Sequence, residues 1–258
     1  MSNHGGEEKK ISGKTSSMQS ASSPNDFFFF KPRHSSNPVK STLNPRRLKT
    51  IIDAIHVCWG EITTFPYKKS GEFKQADYFN EDELSTKLVE ILNSKLQLGA
   101  VKGFKANVFQ DVVRDGKQST AEAASYDQMP DITFRMIQFG DNEDRSESGL
   151  FVECKLVSKG SGCGQYVSEG MYRFVSGRYA PQMGYGLMLG YATSTFNDPI
   201  KALDDYFAVA TKAESIKCKA KINTSKLDAS CYESIHKRSK PCAKKFCALH
   251  IWLIRPID

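Results

Sequence analysis

The sequence predicts an α/β domain with a central mixed β-sheet flanked by helices. Two patterns carry this. Apolar residues recur at three- and four-residue spacing in runs starting near residues 44, 80, 165 and 198, the period of half-buried helices. Short apolar runs at 104–113, 130–137, 149–157, 184–192 and 248–254 read as strands. The order is an extra N-terminal helix, then helix, three strands, helix, strand, helix and strand. Strands first grouped and then alternating with helices imply antiparallel and parallel pairing in one sheet.

Residues 1–43 are rich in Ser, Asn, Gly, Lys and Pro and lack periodic hydrophobicity, so disorder is expected there. Phe27 to Phe30 are the exception, suited to docking on the domain or on a partner. The folded domain is expected over 44–258. Asn44-Pro45 caps a first helix that carries Leu48, Ile51, Ile52, Ile55 and Trp59 on one face and ends at Gly60. A second helix starts near Asn80, with Leu84, Leu88, Ile91 and Leu92 in line. Three strands follow, the last two joined by the polar loop 138–148. GSGCG (160–164) turns into a helix over about 165–178, and GYGLMLGYA (184–192) reads as a buried strand. Asp198-Pro199 caps a helix with Ile200, Leu203, Tyr206, Phe207 and Val209, and after a lysine-rich stretch ALHIWLI (248–254) makes a last strand.

The chain of 258 residues, 40% hydrophobic and 11% aromatic, is enough for one sizeable core. Its net charge is +7, and residues 211–258 carry eleven Lys/Arg against four Asp/Glu, the whole of that excess. Such a flank favours an anionic partner such as nucleic acid; a solvated lysine-rich surface is the simpler alternative. The seven cysteines are odd in number and lack compact spacing. With no signal-peptide pattern and no apolar run of about 18 residues, a reduced, cytoplasmic protein without a membrane span is expected.

The chemistry-bearing residues fall on two neighbouring strands. MPDITFRM (129–136) carries Asp131, and GLFVECKLV (149–157) carries Glu153, Cys154 and Lys155. Alternate strand residues point the same way, so Glu153 and Lys155 share a face, about 7 Å apart, while Cys154 turns to the other. Hairpin pairing of the two runs would bring Asp131 to them. Two carboxylates and a lysine on one face suit Mg²⁺ held beside a phosphate, because Mg²⁺ takes hard oxygen ligands and keeps several waters. An exposed Glu/Lys pair beside a turn aspartate is the plain alternative.

Pro130-Asp131 and Glu153-Cys154-Lys155, each at a strand position, lie behind a capped helix and ahead of a glycine turn and helix. In this setting the two elements resemble the PD-(D/E)xK nuclease superfamily, over roughly residues 80–192. The resemblance implies a restriction endonuclease-like core. It implies Asp131 and Glu153 as ligands of Mg²⁺, with Mn²⁺ as a substitute, and the backbone carbonyl of Cys154 as a third. Lys155 would orient the attacking water, help lower its pKa or stabilise the pentavalent phosphorus. Many members add an acid from the first core helix; Glu83 is the first choice here, with Glu81 and Glu90 behind it. Asn80-x-x-Glu83 is equally the spacing of a capping box, and the two roles are compatible.

The helix after the motif strand borders the metal site in this fold. Gln165, Glu169 and Arg173 form a polar stripe along it, and Gln165 is the site candidate. Some members carry a tyrosine four residues after such a glutamine; Glu169 departs from that RecB-like pattern. A Glu169–Arg173 ion pair beside a solvated glutamine is the other reading. Tyr166, Tyr172, Phe174 and Tyr179 read as packing residues. GSGCG lacks P-loop spacing, and the C-terminal Cys231, His236, Cys242, Cys247 and His250 contain no Cys-x-x-Cys pair, so they fit no common zinc finger. His250 reads as a core histidine. His236, Lys237 and Arg238 are candidates for DNA phosphate contact, or alternatively a solubilising surface. The expectation is a Mg²⁺-dependent nuclease acting on double-stranded DNA, alone, as a homodimer, or as the effector of a multi-component restriction or antiphage system. A non-catalytic nucleic-acid-binding module and a partner-recruiting protein are the alternatives.

Overall fold

The computed structural model describes residues 1, 44–64, 67–69, 72–74, 80–115, 129–137, 149–158, 162–181, 183–193, 196, 198–209, 218, 220–239, 242 and 244–255. Apart from Met1, these belong to one compact unit. The expectations for residues 2–43, including Phe27–Phe30, and for the loop 138–148 lie outside the described residues.

Helix α1 spans Pro45–Thr64, with the Asn44 side chain accepting from the Arg46 N–H. Gly60 does not end it, contrary to expectation. Its position is open on the outer side, and the apolar stripe continues to Ile62, which is buried. That burial offsets the roughly 1 kcal/mol penalty of a mid-helix glycine. A small ribbon, β1 (Tyr67–Lys69) against β2 (Glu72–Lys74), precedes α2 (Glu81–Leu98). Asn80 and Glu83 form a reciprocal capping box at the start of α2, and Gly99, at φ 60°, closes its end.

Seven strands form one mixed sheet: β3 (Val113–Arg114), β4 (Ile132–Arg135), β5 (Gly149–Val157), β6 (Tyr185–Thr193), β7 (Ile222–Thr224), β8 (Cys231–Lys237) and β9 (Lys245–Arg255). Their order across the sheet is β3-β4-β5-β6-β9-β8-β7. The parallel centre β5-β6-β9 carries antiparallel strands on both sides. Helices α1 and α2 pack on one face through Leu48, Ile51, Ile55, Leu84, Leu88 and Leu92. The other face is covered by a π-helical turn (Tyr166–Met171) that runs into α3 (Tyr172–Val175), and by α4 (Pro199–Ala208). Both sides of β5 and β6 are therefore covered, which explains their near-continuous burial.

The run 104–113 departs most from the sequence reading. Phe104 and Phe109 are buried with ring centroids 5.2 Å apart; Phe109 makes a single antiparallel bridge to Met136, and Val113–Arg114 forms the short strand β3. The Asn93 side chain of α2 bonds both the N–H and the carbonyl of Val112, at 2.7 and 3.0 Å, so an amide takes the place of a strand ladder. All seven cysteines are free, and six are buried. Among the described residues no helix is long and apolar enough to cross a membrane.

Candidate active site

The site lies where β4 and β5 part. Their ladder ends at Ile132↔Val152, while β5 continues alongside β6 to Val157. Past that end, N–H groups of β5 are taken up by carboxylates rather than by a strand. Asp131 Oδ2 accepts from the Cys154 N–H at 2.6 Å, and Glu81 Oε2 accepts from the Leu156 N–H at 2.8 Å. Both acids thus stand in for a strand neighbour, and that fixes them beside Glu153 and Lys155.

Lys155 gathers the group. Its Nζ donates to Glu81 Oε1 and to the Cys154 carbonyl, each at 2.8 Å, and lies 3.1 Å from Glu153 Oε1. Burial works against its ammonium, but the charges of Glu153, Asp131 and Glu81, with the bond to Glu81, outweigh it and hold Lys155 above the ordinary lysine range. It is therefore a fixed cation at neutral pH and cannot serve as a base. Glu153 is 0% exposed. Burial first, then the charge of Asp131, push its carboxyl up to about 7 against the pull of Lys155 and Arg173. Burial also raises Asp131, opposed by its bond from Cys154 and by Lys155.

Arg173 approaches from the other side of β5. Its Nη1 donates to Glu153 Oε1 at 2.8 Å and to the Tyr179 hydroxyl at 2.9 Å, and that hydroxyl donates to the Met129 carbonyl at 2.8 Å. A continuous chain of bonds thus runs from the motif strand to the residue before Pro130-Asp131. Gly170 allows the approach: a Cβ there would lie 2.6 Å from Met188 Cε, 3.3 Å from Lys155 Cγ and 3.4 Å from Glu153 Cγ.

The structure brings together Asp131, Glu153, Lys155 and the Cys154 carbonyl as the sequence anticipates, and changes four other assignments. Glu81, not Glu83, is the helix acid that reaches the strand; the Glu83 carboxylate accepts from the Asn80 N–H at 3.0 Å, completing the capping box. Gln165 is exposed at the start of the π-helical turn. That turn breaks the four-residue stripe, so Arg173 arrives at Glu153 while Gln165 and Glu169 face solvent. His236 and Arg238, expected at DNA phosphates, are instead buried and bonded within the domain. His236 bonds the Ser234 hydroxyl at 2.7 Å, and burial, with the nearby Arg238 charge, lowers its pKa to about 4. Arg238 Nη1 bonds the carbonyls of Ala180, Pro181 and Met183 at 3.0–3.2 Å, with the guanidinium 3.9 Å above the Phe246 ring. Lys237 alone of the three is exposed.

Tyr179 reads as a packing residue in the sequence, and the polar stripe with Gln165 and Glu169 is the sequence signal for Arg173. The donor set suits a hard cation. Glu153 Oε2 is buried and has no hydrogen-bond partner, Asp131 is half-buried, and the Cys154 carbonyl lies within 2.8 Å of the Lys155 ammonium that also pairs with Glu153. Mg²⁺ needs only one or two carboxylates, with carbonyl and water oxygens for the rest. Among the described residues no group of three or more His, Cys, Asp or Glu side chains is placed to hold a metal ion, so such an ion would depend on this smaller set and on water. No protein-family model matches the chain, and no curated protein or solved structure shows significant similarity to it.

Proposed function

We propose that the chain hydrolyses phosphodiester bonds of DNA, with Mg²⁺ or Mn²⁺ bound at Asp131, Glu153 and the Cys154 carbonyl, on a restriction endonuclease-like core of the PD-(D/E)xK kind. The observation that carries this reading is the convergence of Asp131, Glu153, Lys155 and Glu81 at the point where β4 and β5 part, with Glu153 Oε2 left unpartnered. The order α2, β3, β4, β5, α3, β6 gives further support.

Bound there, the ion would supply positive charge to the phosphate and a water of lowered pKa. Lys155, pinned by Glu81 and the Cys154 carbonyl, holds a second positive charge beside it without reorganising during the reaction. The water oxygen bonds to phosphorus as the bond to the leaving sugar oxygen breaks; the proton lost by the water passes to solvent, and the leaving oxygen takes one from solvent. Exposed Lys237, paired across the strands with exposed Lys245, belongs to the basic flank suited to the backbone of a duplex.

Incubating plasmid and linear duplex DNA with Mg²⁺ tests the reading. Lys155→Ala is expected to lower cleavage by about 100-fold or more while DNA affinity is retained. DNA binding without cleavage by the wild type, unaffected by Asp131→Ala, would instead identify a binding module.

A further inference from the structure

The geometry points to Arg173 as a catalytic residue whose guanidinium takes an oxygen of the scissile phosphate, with Tyr179 holding it in place. The substrate in this inference rests on the nuclease reading.

Glu153 is fully buried, whereas the Arg173 side chain bonded to it is 35% exposed, so of this ion pair only Arg173 is open to solvent. An anion approaching Glu153 and Lys155 from that side meets Arg173 first. The two contacts of Arg173 to Glu153 and Tyr179 both use Nη1, and a guanidinium has five N–H donors in a planar fork suited to phosphate oxygens. Its bond to Glu153 is dispensable to the carboxylate: the same Oε1 also has the Lys155 ammonium at 3.1 Å. Arg173 can therefore turn toward a phosphate without leaving that oxygen unpaired. Tyr179 limits the turn, because its hydroxyl is anchored to the Met129 carbonyl and its ring lies 5.6 Å from the guanidinium carbon. The same anchor places the cation next to the Asp131 loop. Gly170 and the π-helical turn are the local features that bring the helix this close.

The test uses the full chain and two readouts. The first is Mg²⁺-dependent cleavage by wild type, Arg173→Gln and Arg173→Lys. The second is the affinity of a short DNA duplex measured in Ca²⁺. Arg173→Gln is expected to lower kcat about 100-fold and to weaken duplex binding about tenfold. Arg173→Lys keeps the charge and the stem but not the fork; it is expected to bind within about threefold of wild type and still lose at least about tenfold in kcat. Added guanidinium is expected to restore part of the rate to Arg173→Ala, which a purely structural role would not produce. Wild-type rates and affinities in both Arg173→Gln and Arg173→Lys overturn the inference. If the wild type itself cleaves nothing, the nuclease reading fails. The binding readout then decides alone: a tenfold loss in Arg173→Gln keeps Arg173 as a phosphate contact, and no loss removes it.

Discussion

Replacing Glu153 with Gln is predicted to stabilise the protein in the absence of metal, although it removes a residue bonded to both Lys155 and Arg173. The carboxyl is pushed from 4.5 up to about 7 in the folded chain, chiefly by burial. The folded state therefore holds this proton more tightly than the unfolded chain, and ionisation of Glu153 opposes folding. The penalty is absent below pH 4.5, grows as pH rises toward 7 and is complete above that. At about 1.4 kcal/mol per pKa unit it reaches on the order of 3 kcal/mol at pH 8 and shrinks to roughly 1 kcal/mol at pH 5. A neutral glutamine escapes it. Urea unfolding with EDTA, followed through the fluorescence of Trp59 and Trp252, measures the difference between Glu153→Gln and wild type at each pH. Taking that difference cancels the buried histidines, which act in the opposite sense. Burial lowers His236 to about 4 and His250 to about 3, so the stability they contribute is present above pH 6.5 and lost below it. A variant less stable than wild type at pH 8 would refute the reasoning, since it would mean that the Lys155 and Arg173 pairings outweigh desolvation.

Other perturbations separate the supports of the site. Gly170→Ala forces a methyl group against Met188, Lys155 and Glu153, and should cost about 1–3 kcal/mol in urea unfolding and lower Mg²⁺-dependent cleavage. Glu81→Gln should reduce cleavage strongly, because it weakens the anchor of Lys155; Glu83→Ala should cost only about 1 kcal/mol of stability through the capping box and leave the cleavage rate near wild type. Arg238→Met should lower the melting temperature without changing the salt dependence of DNA binding, whereas Lys237→Ala should reduce the salt slope by about one phosphate contact.

The legible parts of the fold were those whose side chains obey a single demand. β5 and β6 are buried on both faces, so their apolar runs marked strands directly, and Asn80 announced the start of α2. β8 was hidden because its inward positions are polar. Ser234 bonds both His236 and His250, and His250 bonds the Tyr166 hydroxyl, a buried chain of partners in place of an apolar stripe. Asp131, Glu153 and Lys155 could be placed together from strand alternation alone. The helix acid could not: Glu81 and Glu83 differ by about 200° around the helix, so only one of them can face the strand while the other closes the cap. The π-helical turn likewise shifts Arg173 relative to Gln165 by an amount that no regular period predicts.

The central claim is that the carboxylates beside Lys155 bind a divalent ion for phosphodiester hydrolysis. Its most direct test is cleavage of supercoiled plasmid by wild type and Glu153→Gln, purified identically, in Mg²⁺ and in EDTA. The account predicts nicked or linear product from the wild type in Mg²⁺ alone, and none from the variant in either condition. Equal cleavage by both proteins, or none by the wild type in Mg²⁺ or Mn²⁺, would contradict it.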